Sequence, residues 1–189
     1  YSAGRIDLAG NQIQQQAQKL TSTTFAIGYV DDDNSDRGTV KIGTVTGSAI
    51  AFGDPYIFST NTDVNYPAMT ALSPTKLAFS WEDDPNGDVG KVRVGEISGT
   101  VVAFGDEVAF TTTAVGATAI AAVSSTQFVV AYEDDASTSP ADPGSAYVGS
   151  VSGKTITLSS SNFQFETSQD VLDLSIDGIY ENEFIIGWN

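Results

Sequence analysis

The sequence contains no cysteine and no histidine among its 189 residues. Without cysteine the chain has no disulfide bond and no thiol chemistry, although this does not identify its compartment. Without histidine it has no Ser-His-Asp or Cys-His catalytic arrangement and none of the usual zinc sites. Any catalysis would therefore have to rely on carboxylates.

Positive charge and long apolar runs are also scarce. Eight lysine and arginine residues stand against 24 aspartate and glutamate residues, so the formal net charge is −16. Such a chain repels nucleic acid and anionic membranes, and it favours cationic partners, calcium or a salty medium. Apolar runs such as Ala119–Val123 are far shorter than the roughly 20 residues of a membrane helix. We therefore expect neither nucleic-acid binding nor membrane insertion.

What the sequence does contain is a motif that recurs along the chain. It reads FVVAYEDD at Phe128–Asp135, LAFSWEDD at Leu77–Asp84, FAIGYVDD at Phe25–Asp32 and FIIGWN at Phe184–Asn189. The first residues of successive copies lie 52, 51 and 56 positions apart. A fixed period of this length indicates an array of supersecondary units, as in propellers and solenoids.

Each copy of the motif alternates bulky and small side chains. Leu77, Phe79 and Trp81 fall on one side of a predicted strand, and Ala78 and Ser80 fall on the other. Small side chains allow a neighbouring sheet to approach closely. The alternation therefore predicts a strand in a sheet that is stacked between two others.

Three further strands are predicted around each copy. A strand rich in small residues precedes the motif, a glycine-flanked strand follows it, and a fourth strand comes after a glycine-containing turn. The preceding strands are Ala68–Leu72, Ala119–Val123 and Leu174–Ile179; the following strands are Gly38–Gly43, Gly90–Gly95 and Gly144–Gly149; the turns contain Gly47, Gly99 and Gly153. Tyr1–Gly10 matches the glycine-flanked strand. The sequence thus predicts four antiparallel strands per unit.

The predicted fold is all-β, a β-propeller of four-stranded antiparallel blades in a single domain, 1–189. The units are approximately 20–66, 67–116 and 117–171, and a closing blade joins 1–19 to 172–189 by pairing of N-terminal and C-terminal strands. From Gly4 to Leu20 there are 16 positions, against 34 from Gly38 to Leu72, so one unit lacks about one strand. A fragment of a larger propeller, a sandwich and a solenoid stay open as alternatives.

The repeats also resemble a known kind of protein. FVVAYEDD followed by GSAYVGSVSG, and FAIGYVDDD followed by GTVKIGTVTG and FGD, are similar to tandem propeller-type repeats in surface, tail-fibre and adhesin-like proteins of marine bacteria, phages and algae. The similarity covers most of the chain from Thr21 onward. It implies a secreted or surface-displayed binding module and brings no catalytic residues with it.

Acidic turns after two of the motif copies are candidate calcium sites. They place oxygen-bearing side chains at alternate positions, as calcium requires: Asp32, Asn34 and Asp36 in one turn, and Asp84, Asn86 and Asp88 in the other. In the third copy Asp134, Asp135 and Asp142 are spread apart by an insertion. Because Asp, Asn and Gly are also the residues that ordinary turns prefer, two interpretations stay open, calcium loops and plain turns.

One aromatic residue per copy lies beside each motif's end: Tyr29, Trp81, Tyr132 and Trp188. Exposed rings next to carboxylates could stack on sugars, which would make these residues a glycan platform. Each ring also continues the bulky side of its strand, so packing between blades is the other interpretation.

The sequence predicts a protein that is not an enzyme. Its acidic pairs recur with the repeat, whereas a catalytic carboxylate pair occurs once. We expect an extracellular or surface-exposed binding or structural module for adhesion or assembly, with a protein or glycan ligand and with calcium as a candidate cofactor. Oligomers or a larger assembly fit this role. A lectin and a carboxylate-based glycoside hydrolase are the alternatives.

Overall fold

A computed structural model of the protein describes residues 12–135, 141–180 and 183–189. Within these ranges the chain is almost entirely β-strand and turn, and it contains no α-helix. Two 3-10 turns, Asp32–Asn34 and Asp84–Asn86, are the helical segments of the described residues. The all-β prediction is confirmed.

The strands form four antiparallel sheets, numbered here in chain order. Sheet 1 contains β1 (Gln12–Lys19), β2 (Thr24–Asp31), β3 (Arg37–Thr46), β4 (Ala49–Phe52) and β5 (Tyr56–Ile57). Sheet 2 contains β6 (Val64–Ser73), β7 (Lys76–Asp83), β8 (Val89–Ser98), β9 (Val101–Phe104) and β10 (Val108–Ala114). Sheet 3 contains β11 (Thr118–Ser124), β12 (Gln127–Glu133), β13 (Gly144–Ser152), β14 (Thr155–Leu158) and β15 (Phe163–Gln164), and sheet 4 contains β16 (Ser175–Tyr180) and β17 (Glu183–Gly187).

Sheets 1 to 3 share one topology. The first, second and third strands pair in chain order. Two further strands then pair, one after the other, with the outer edge of the third strand. The recurring motif forms the second strand of every sheet, at β2, β7, β12 and β17. The repeat in the sequence therefore corresponds to a repeat in the structure, although sheet 4 has two strands among the described residues.

The predicted glycine turns are two-residue hairpin loops between the third strand and the outer strand. Thr46 pairs with Ala49, and Gly47 has φ of 62°. Gly99 and Gly153 have φ of 64° and 60° at the equivalent positions. A residue with a Cβ atom is strained at a positive φ of this size, whereas glycine is not. Glycine therefore suits these loops.

The alternation of bulky and small residues sets how the sheets stack. Leu77, Phe79 and Trp81 on β7 pack into a buried cluster with residues of sheet 1. Ala78, on the opposite side of the same strand, packs with sheet 3. On β12 the bulky Phe128 likewise faces sheet 2. Strands β7 and β12 thus direct their larger side chains toward the preceding sheet and their smaller ones toward the next.

The structure differs from the sequence prediction in two places. Gln12–Lys19, grouped by the prediction with the closing blade, pairs with β2 and is the first strand of sheet 1. On the far side of sheet 4, Ile179 and Ile185 are more than half exposed, so no further sheet covers them among the described residues. The proposed pairing partner, Tyr1–Gly10, lies outside the described residues.

Candidate functional site

The acidic loops join the second and third strands, so they lie at the same end of sheets 1, 2 and 3. In sheet 1 the turn Asp32–Asn34 is followed by Ser35 and Asp36, which both have positive φ. In sheet 2 the turn Asp84–Asn86 is followed by Gly87 and Asp88 in the same conformation. The equal spacing of the two loops in sequence therefore produces equal backbone geometry.

Hydrogen bonds within the protein hold the loop of sheet 2. The Asn86 side-chain amide donates to Asp83, and the Gly87 N–H donates to the Asp84 carbonyl at 2.9 Å. The Asp83 carboxylate is fully buried and also accepts from the Asn61 amide. Asn86, a candidate calcium ligand, is thus engaged in holding the turn.

The loop of sheet 1 brings carboxylates together. Burial raises the pKa of Asp36, and the nearby carboxylates of Asp32 and Asp63 raise it further. One side-chain oxygen of Asp36 is closed to solvent and has no hydrogen-bond partner. This loop therefore favours a proton or a cation at Asp36 over an unpaired negative charge.

Sheets 2 and 3 continue the acidic surface. Burial raises the pKa of Glu82 to about 7 against an opposing hydrogen bond from Asn65, and the charges of Asp88, Asp84 and Asp135 act in the same direction as burial. Asp135 also contributes to raising the pKa of Asp142, where burial is the largest cause. We call the side chains of Asp84, Asp88, Asp135 and Asp142 the acidic face.

No group of three aspartate or glutamate side chains in the described part of the chain has an arrangement that would hold a metal ion. The six candidate ligands are Asp32, Asn34 and Asp36 in one loop and Asp84, Asn86 and Asp88 in the other, so each loop supplies two carboxylates and one amide. Calcium binding at these loops stays a prediction.

The aromatic residues divide into three that are buried and one that is exposed. Tyr29, Trp81 and Tyr132 are 2%, 0% and 3% exposed, and Trp188 is 41% exposed. The Trp81 ring lies 5.5 Å from the ring of Phe58 in the core between sheets 1 and 2. The burial of Tyr29, Trp81 and Tyr132 favours packing between sheets for these three rings. A glycan platform at the aromatic residues stays a prediction.

Sequence reasoning missed a buried polar cluster between sheets 1 and 2, which we call the polar junction. Lys91 forms ion pairs with Asp83 and with Glu107, the latter at 3.2 Å. Arg93 lies 3.7 Å from Glu107 and donates to the Phe58 carbonyl at 2.9 Å. The signal in the sequence was two cations, at alternate positions of β8, in a strand that otherwise carries buried apolar residues.

A cavity of about 270 Å³ lies among the first strands of all four sheets. Hydrogen bonds link three of these strands, β1, β6 and β11. Met69 N–H donates to Gln16 at 2.9 Å, the Thr118 hydroxyl donates to the Tyr66 carbonyl at 2.8 Å, and Ala122 N–H donates to the Thr70 hydroxyl at 3.1 Å. The residues of the four strands that share this central cavity are separated in sequence by about one repeat each.

A second cavity of about 380 Å³ adjoins the first, and the two share Gln16, Thr118 and Leu174 in their walls. Gln14, Tyr66 and Asp173 lie only in the walls of the second cavity. The central cavity therefore opens into a wider space at one end of the first strands.

Comparisons of this chain with protein-family models, with curated proteins and with solved structures found no match. The similarity to surface and tail-fibre repeats is neither supported nor contradicted by them. In the described ranges no helix has the length and apolar character needed to cross a bilayer.

Proposed function

We propose that the protein is a non-enzymatic binding or structural module for adhesion or assembly at a cell or particle surface, built as a four-bladed β-propeller. The observation that carries this proposal is the common cavity among the first strands of the four sheets. Blades of a propeller surround a central channel in the same way. Their repeated packing provides a rigid scaffold on which loops can be presented.

The acidic face is the surface that we propose for contact with a partner. Its side chains lie in loops at one end of neighbouring sheets, and Asp84 and Asp135 are exposed. The charges of Asp88, Asp84 and Asp135 all contribute to raising the pKa of Glu82, so each of these carboxylates lies near Glu82. A concentrated negative surface attracts a basic protein surface or an amine-bearing glycan and speeds the encounter.

The proposal also rests on how the charged residues of the interior are used. In the polar junction Lys91 pairs with Asp83 and with Glu107, and the Asn61 amide, from the segment after β5, donates to Asp83. Removing one member of such a buried pair would leave the other charge buried and unpaired, so these residues are committed to one another. We therefore assign binding to the surface and the cavity and assign the buried charges to the scaffold.

An adhesion assay tests this function. Beads coated with the purified chain are offered to a panel of cells and immobilised surface proteins, and the retained fraction is measured against salt. A variant with Asp84→Asn, Asp88→Asn and Asp135→Asn removes three charges from the acidic face. Its control, with Asp54→Asn, Asp106→Asn and Glu183→Gln, removes three charges elsewhere.

We expect the parent and the control variant to adhere, and we expect adhesion to weaken in the acidic-face variant and at high salt. Equal adhesion of the two variants would remove the acidic face from the proposal. Turnover of chromogenic glycosides by the parent chain would contradict a non-enzymatic role.

A further inference from the structure

We propose that the central cavity binds one sugar ring, as a free hexose or as the terminal residue of a glycan, and that it selects neutral or amine-bearing sugars over acidic ones. This inference rests on the proposed role as a binding module and gives that module a ligand class. Sugar binding is supported by the size of the cavity, by the hydrogen-bonding groups of its walls and by its charge.

The size of the cavity suits a small ligand. Its volume is about 270 Å³, and pockets for drug-sized molecules begin at roughly 300 Å³. A single sugar ring is smaller than such molecules. The adjoining cavity leaves space for the next residue of a chain, so a terminal sugar of a glycan fits as well as a free one.

The walls offer backbone donors and acceptors that the sheets leave unused. Each first strand pairs with a neighbour on one side only. In an antiparallel pair, alternate residues direct their N–H and C=O groups away from the partner strand. Because Ala122 N–H donates to Thr70 on β6, Ile120, two positions earlier on β11, directs its backbone groups to the same side, into the cavity wall.

Side chains add further polar groups. Gln18 and Asp177 both lie in the cavity wall, on β1 and β16. The Gln18 amide is half-buried and makes no hydrogen bond to the described part of the protein. An amide both donates and accepts, whereas a carboxylate accepts only. Sugar hydroxyls donate and accept at every position, so they match this mixed set.

The charge of the cavity determines which sugars are accepted. Among the described residues that line the cavity, Asp177 is the only one with a charged side chain, and none is a lysine or an arginine. A carboxylate on the ligand would meet like charge without a compensating cation. An ammonium group would meet the opposite charge, so the cavity should bind amino sugars more tightly than uronic acids.

Saturation-transfer NMR and calorimetry on the full chain test this inference with glucose, galactose, N-acetylglucosamine, glucosamine and glucuronate. We expect transfer to the ring protons of a neutral or amino sugar and none to glucuronate. Gln18→Leu and Asp177→Asn should each weaken binding of that sugar about fivefold, the effect of one lost hydrogen bond.

Gln169→Leu and Asp54→Asn serve as matched controls, since they make the same chemical changes at exposed positions outside the cavity wall. Unchanged circular dichroism confirms that each variant is folded. The inference is overturned by an absence of transfer to all five sugars, by equal binding of glucuronate, or by affinities that Gln18→Leu and Asp177→Asn leave unchanged. Bead adhesion that persists in the first case would leave the proposed adhesion function standing.

Discussion

In sheets 1 and 3, the third strand of the repeat carries a glycine directly opposite the first aromatic ring of the motif. Gly149 on β13 is directly opposite Phe128 on β12, and Gly43 is opposite Phe25 in the same register. A Cβ built at Gly149 would overlap the Phe128 ring, and a Cβ at Gly43 would overlap the Phe25 ring. Glycine at these positions therefore allows the first ring of the motif to cover the neighbouring strand.

We expect Gly149→Ala to destabilise the protein by about 1–3 kcal/mol, because Phe128 is fully buried and cannot move away without disturbing the core. Urea unfolding measures the change. Ser150→Ala, at the next and exposed position of the same strand, is the control and should alter the midpoint little. A midpoint unchanged in Gly149→Ala would mean that the core can accommodate the methyl group.

The buried carboxyl group of Glu82 should make the stability of the protein depend on pH. It is 7% exposed, and its pKa is raised to about 7, so the folded state binds a proton more tightly than the unfolded state. Its ionisation therefore costs stability as the pH rises from about 4.5 to 7. We expect Glu82→Gln, which keeps an acceptor for Asn65, to be about 2 kcal/mol more stable than the parent at pH 8 and equal to it at pH 4.

Thermal unfolding across this pH range checks the effect of Glu82, with the exposed Glu183→Gln as the control. A stability difference that does not change between pH 4 and pH 8 would show that ionisation of Glu82 is not the cause. The same would follow if Glu183→Gln reproduced the effect, since that position is exposed.

At the scale of the strands, the polar junction connects sheet 2 to the segment that follows β5, through hydrogen bonds to Asn61 and Phe58. Although burial opposes ionisation of Asp83, hydrogen bonds from Lys91, Asn86 and Asn61 hold its pKa below the ordinary value. A depressed carboxyl pKa stabilises the folded state above the unfolded pKa, and this stabilisation is lost as the pH falls through the folded value. The junction should therefore weaken in acid.

We expect Lys91→Met to destabilise the protein by about 3–5 kcal/mol at pH 7, because it leaves Asp83 buried without its cation. The loss should shrink at acidic pH, where Asp83 takes up a proton. Chemical unfolding at both pH values measures it. Lys41→Met is the control, since Lys41 has no ion-pair partner in the described residues, and adding Asp83→Asn to Lys91→Met should restore part of the stability.

At the scale of the whole molecule, the net charge of −16 and the acidic loops predict that added cations change the stability of the folded protein. Screening of self-repulsion by any salt should raise the melting temperature. If the acidic loops hold calcium, as the sequence predicts, calcium should raise the melting temperature more than magnesium does at equal ionic strength. If the loops are plain turns, held by contacts such as the one from Asn86 to Asp83, the two ions should give equal melting temperatures. A calcium-specific rise over EDTA would make the Asp32 and Asp84 loops ion sites instead.

Local rules of the backbone explain why so much of the fold could be predicted from the sequence. Alternation along Leu77 to Trp81 depends on successive side chains pointing to opposite faces of a strand. The turn at Gly47 depends on one positive φ. Both are properties of a few adjacent residues, and both are repeated three or four times, so the strands, the hairpins and the stacking of the sheets could be read directly.

The sequence by itself thus determined the strands, their turns and the bulky and small faces by which the sheets stack. Only the tertiary structure decided that Trp81 is buried and Trp188 exposed, that Lys91 meets Asp83 and Glu107, and that Gln16, Thr118 and Asp177 share one cavity. The physical reason is distance along the chain. Gln16, Thr118 and Asp177 lie on three different sheets. An alternation of period two along one strand carries no information on which distant strands meet.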